Sequence, residues 1–102
     1  MNLIYKAARF SGPTHHHVQV TFVDGDGAGD IYPFPRFAQF QVGGHEKAVR
    51  GALADISAAL PLHGRFGVDV IHIDPRDRAV PSLYARLFQT ILEDARRGLP
   101  RG

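Results

Sequence analysis

The stretch Gly67–Pro75, GVDVIHIDP, limits the fold more than any other part of the chain. It is the most strand-like run, and it lies between the two segments with the clearest helical periodicity. Val68 and Val70 fall on one face of the pleat, with Ile71 and Ile73 near or on the other. A strand apolar on both faces is normally interior and covered on both sides. The run is therefore expected to be the central strand of a sheet.

The segments before it supply its neighbours. Leu3–Phe10 alternates weakly and reads as a strand, closed by the turn Ser11-Gly12-Pro13-Thr14. His15–Val23, HHHVQVTFV, alternates clearly: His16, Val18, Val20 and Phe22 share one face, and His15, His17, Gln19 and Thr21 share the other, polar one. Asp24–Asp30, DGDGAGD, reads as a mobile hairpin connection. Pro33 and Pro35 forbid regular pairing at the start of the next segment, so a third strand is expected from about Arg36 to Val42. Gly43-Gly44 then opens a helix over His45–Leu60, with Val49, Ala52, Leu53, Ile56, Ala59 and Leu60 along one face. Pro81 suits the first turn of a second helix running to about Arg97. Arg96 and Arg97 suit its negative end, and residues 98–102 read as a frayed tail.

The order is β-β-β-α-β-α. The first three strands are expected as an antiparallel meander, and the β-α-β crossover adds a parallel neighbour. The predicted fold is α+β: a mixed four-stranded sheet packed with two helices in one domain, residues 1–102. This order resembles the first part of ribonuclease H-like folds. The first strand lacks the acidic residue that their chemistry requires, so the likeness implies topology alone.

Composition narrows the class of function. The absence of cysteine excludes disulfides, thiolate metal sites and a cysteine nucleophile. No apolar run approaches the roughly 18 residues of a membrane span, and the N-terminus is too interrupted for a signal peptide, so a cytoplasmic protein is expected. The ten Arg and two Lys are scattered without a basic, aromatic-interleaved stripe, which argues against nucleic acid. The preference for Arg, Ala, Gly and Val suggests a GC-rich bacterial source.

Several residues merit attention as sites. His15 and His17 point the same way on a strand and could share a divalent metal, although a catalytic zinc usually takes three protein ligands. An exposed polar strand face explains them better, so no cofactor is expected. DGDGAGD fails as a calcium loop, with Ala28 and Pro35 where ligands should stand. Gly43-Gly44-His45, with Lys47 nearby, offers the weak anion attraction of any helix start. His72, Asp74 and Asp77 lie at or beyond the end of the central strand, where ligands gather in open α/β sheets. No paired carboxylates or Ser-His-Asp set supports naming a catalytic residue.

Packing is the stronger signal. In the second helix Leu83, Tyr84, Ala85, Leu87, Phe88, Ile91, Leu92 and Ala95 cover about 200° of the wheel at 100° per residue. One sheet needs little more than 100°. Gly51, Ala54 and Ala58 on the back of the first helix allow a close helix approach. Either the helices lie side by side, which would leave the sheet's other face bare as the interface, or these residues, with Tyr84, Phe88 and Leu92, form an interface with another chain. The expectation is a small non-catalytic domain acting by protein association: a homodimer, with a further protein partner of the inhibitor, immunity or assembly type. The alternative is a small enzyme or metal-binding protein using the strand-2 histidines with His72 and Asp74.

Overall fold

The computed structural model describes residues 3–11 and 14–99, with side chains described from His16 onward. The elements are β1 (Leu3–Ser11), β2 (Thr14–Asp24), β3 (Asp30–Pro33), α1 (Gly43–Ile56), β4 (Phe66–Ile73) and α2 (Pro81–Gly98). Short 3-10 turns at Pro35–Phe37 and Ser57–Ala59 complete them. The chain is a small α+β fold with one mixed sheet and two helices. The strands lie in the order β1-β2-β4-β3. β1 pairs with β2, and β2 with β4, in antiparallel fashion, whereas β3 runs parallel to β4.

β4 is interior, as its composition demands, but the meander stops after two strands. The loop after β2 does not turn back as a hairpin. It crosses the start of β4 and delivers β3 to the far side. The Gly25 amide donates to Arg65 O and the Gly29 amide to Val68 O, at 2.7 and 3.0 Å. At Gly27 an added Cβ would stand 1.9 Å from Val68 O, and at Gly67 it would stand 2.5 Å from Gly25 O. Two backbones this close leave no room for a side chain at either position. An ion pair between Arg65 and Asp24 closes the crossing, and this guanidinium holds the Asp24 carboxyl below its ordinary range.

The third strand also falls earlier than expected. It ends at Pro33, on the sheet's edge, where a missing N–H costs little. Pro35 begins a 3-10 turn, with Ala38 N bonded to Pro35 O, because its fixed φ suits a first helical turn. Arg36–Val42 is therefore turn and irregular chain instead of strand.

The two-faced reading of β4 also changes. The ladder slips between Thr21 and Phe22, which pair with Val70 and Val68, so Asp69 is bulged. The bulge turns Val68 to the same side as Ile71 and Ile73, and all three are buried. Val70 and His72 look the other way. One core unites Val18, Val20 and Phe22 of β2 with these residues, with Val49 and Ala52 of α1 and with the inner face of α2. Both helices therefore lie on one face of the sheet, side by side. Leu99 is buried in this core and its amide bonds Ala95 O at 2.8 Å, while residues 100–102 of the expected frayed tail lie outside the described residues.

Candidate functional site

Three buried polar side chains meet where β2, α1 and α2 converge. His16 shares parity with Val18, Val20 and Phe22, so the strand turns it into the core, where it is 0% exposed. Its Nε2 accepts the Val80 amide at 3.0 Å. His45, in the first turn of α1, places Nδ1 2.6 Å from the Tyr84 hydroxyl, and its Nε2 makes a short hydrogen bond with the Asp77 carbonyl. A carbonyl only accepts, so Nε2 carries the proton and the Tyr84 O–H donates to Nδ1. The His16 ring packs 4.6 Å from the Tyr84 ring and 5.7 Å from that of His45, between centroids.

Charge at the edge of this cluster is paired. Asp74, 3% exposed, accepts the Arg76 amide at 3.1 Å and its guanidinium at 3.0 and 2.9 Å. That guanidinium stacks 4.0 Å over the Phe37 ring. Burial, and secondarily the negative charge of Asp74, push the Tyr84 hydroxyl well above the ordinary tyrosine range. The cluster offers no reactive group to solvent. It pins the β4–α2 loop at three points: Asp74, whose amide bonds His17 O at 3.2 Å, then Asp77 through His45, and Val80 through His16.

The pinned loop forms one wall of a groove of about 690 Å³. Ala48, Gly51 and Ala52 of α1 face Ala79, Pro81 and Ala85 across it. Lys47 and Arg78 supply positive charge to its lining and Asp55 negative charge. Lys47 and Arg78 belong to no ion pair among the described residues, whereas Arg50, Arg65, Arg76 and Arg97 each engage a carboxylate.

The residues singled out from sequence scatter across the molecule. His17 is half-buried with its ring 4.7 Å from Phe34, while the side chain of His15 lies outside the described residues. No group of three or more potential metal ligands gathers among the described residues. His72 lies on the open sheet face against Phe34, and Asp74, past the end of the strand, is engaged by Arg76. Asp77 contributes its backbone carbonyl to His45. Of the expected interface residues, Gly51, Ala54 and Ala58 are exposed, and Gly51 lines the groove. Tyr84, Phe88 and Leu92 are interior: α1 covers the part of α2 that the sheet cannot, which accounts for the wide apolar arc.

The histidine cluster was missed as a unit. His16 carried a signal, since it stands in the apolar register of its strand, but His45 and Tyr84 lie 39 residues apart and nothing in their spacing joins them. No protein-family model, curated protein or solved structure matches the chain.

Proposed function

We propose that this is a small non-catalytic domain that works by association, first with a second copy of itself through the uncovered face of its sheet. The observation that carries the reading is the placement of both helices on one side. Opposite them, Gln19 and Thr21 of β2, Val70 and His72 of β4 and Tyr32 of β3 share a face that no other described element covers fully, and Tyr32 is 51% exposed. These five positions carry no Asp, Glu, Lys or Arg. The charged positions in register with it, Asp30 beside Val70 and Lys6 beside Gln19, lie at its borders and are of opposite sign, and interface centres favour Tyr and disfavour charge. The alternative, a small enzyme or metal-binding protein using the strand-2 histidines with His72 and Asp74, draws less support, since Asp74 is engaged by Arg76. No helix among the described residues is long and apolar enough to cross a membrane, which fits a cytoplasmic setting for such an assembly.

Sedimentation velocity at micromolar concentration tests the proposal. The wild-type chain should run at twice its chain mass, and Val70→Lys or Tyr32→Glu should run as a monomer with its melting transition retained. A wild-type monomer across the concentration range would overturn it.

A further inference from the structure

We propose that the groove between α1 and the start of α2 binds a small organic monoanion with an apolar body, at a site separate from the sheet-face association. Its volume of about 690 Å³ lies within the range of small-molecule pockets. Its walls are built from Ala, Gly and Pro, which give an apolar surface without long side chains filling the space. Lys47 and Arg78, from different segments, both border it, and neither is neutralised by a carboxylate of the described residues.

The groove is also polarised along α1. Lys47 and Asp55 are eight residues apart on one helix, about 12 Å along its axis at 1.5 Å per residue. An anionic head therefore belongs at the Lys47 and Arg78 end, with the apolar body running along Ala48, Gly51 and Ala52. A second negative charge at the far end would meet Asp55, and this selects a monoanion over a dianion. The wall is set before binding: Arg78 and Ala79 lie between Asp77, held by His45, and Val80, held by His16. A preformed wall lowers the ordering cost that a ligand must overcome.

The probe is anilinonaphthalene sulfonate, an aromatic monoanion whose fluorescence rises in apolar sites, titrated into the full chain. One probe should bind per chain, displaced by octanoate and far less by uncharged octanol. Lys47→Glu and Arg78→Glu should each weaken binding roughly tenfold, as loss of a charge-assisted contact does. Asp55→Asn should bind at least as tightly as wild type. Gly51→Trp should abolish binding, because a Cβ at Gly51 meets nothing within 4 Å and the indole can occupy the groove. Near-ultraviolet circular dichroism establishes that each variant is folded. Val70→Lys should bind the probe normally, which separates this site from the sheet face. Equal binding by Gly51→Trp, or indifference to both charge reversals, would overturn the proposal. Displacement by an acidic amphipathic peptide but not by octanoate would also overturn it, and would give the groove to a polypeptide.

Discussion

Tyr84 shows how a single buried hydroxyl couples the fold to pH. Its O–H donates to His45 Nδ1, and burial raises its ionisation above that of an exposed tyrosine. Below the unfolded-state value of about 10, both states hold the proton and its full contribution is present. Above that value the unfolded chain releases a proton that the folded chain keeps, so stability falls as pH rises. Tyr84→Phe should therefore flatten the alkaline limb of a stability-against-pH curve measured by urea unfolding. At neutral pH it should cost about 1–3 kcal/mol, because His45 Nδ1 loses its buried donor. Alkaline limbs of equal slope in the two proteins would refute the assignment. His16 was placed on the apolar face of its strand by parity alone. Its partner, the Val80 amide, was not legible, because 64 residues separate them and the contact depends on how the β4–α2 loop is folded.

At the scale of elements, β1, β2, β4 and both helices followed from periodicity, whereas the third strand and the strand order did not. The run Val18, Val20, Phe22 and the helical spacing of α2 each repeat a local preference, so a short window suffices to read them. The position of β3 depends on a crossing of two backbones far apart in sequence. DGDGAGD looked like a flexible connection because Gly permits turns; its glycines also permit close approach, and here Gly27 and Gly67 serve that purpose. Pro35 does stand outside the ladder, but Pro33, also read as an obstacle to pairing, is the last residue of the strand, in register with Ile73. Substitution separates the roles of glycine. Gly27→Ala sets a Cβ against the backbone of Val68 and should destabilise by about 2 kcal/mol or more, through displacement of β4. Gly51→Ala lies in an exposed helix interior with open space around it and should stabilise by roughly 0.5–1 kcal/mol. Thermal melts of the two variants shifted in the same direction would contradict this reading of the crossing.

For the whole molecule, the decisive quantity is how much apolar surface the two-layer arrangement covers by itself. The wide arc of α2 left two solutions open, a neighbouring helix or a neighbouring chain, and sequence could not choose because the side on which α1 packs is a tertiary property. In the fold, α1 and the sheet share α2 between them: Phe88 is 1% exposed and Leu92 8%. The bulge at Asp69 then removes much of the apolar demand from the opposite sheet face, leaving Val70 among polar and aromatic neighbours. Because the apolar faces of the helices are already covered, the proposed self-association is placed on the sheet, and the same substitution acquires a different expected outcome. If the helices were the interface, Phe88→Glu would yield a folded monomer. With Phe88 inside the core, the charge has no solvent and no partner, at a cost of several kcal/mol. Against a total stability of about 5–15 kcal/mol for a domain of this kind, that leaves little or none. Phe88→Glu should therefore lose its cooperative melt and its near-ultraviolet circular dichroism, while Val70→Lys keeps both. A Phe88→Glu protein that melts cooperatively as a monomer would return the interface to the helices and remove the basis for placing it on the sheet.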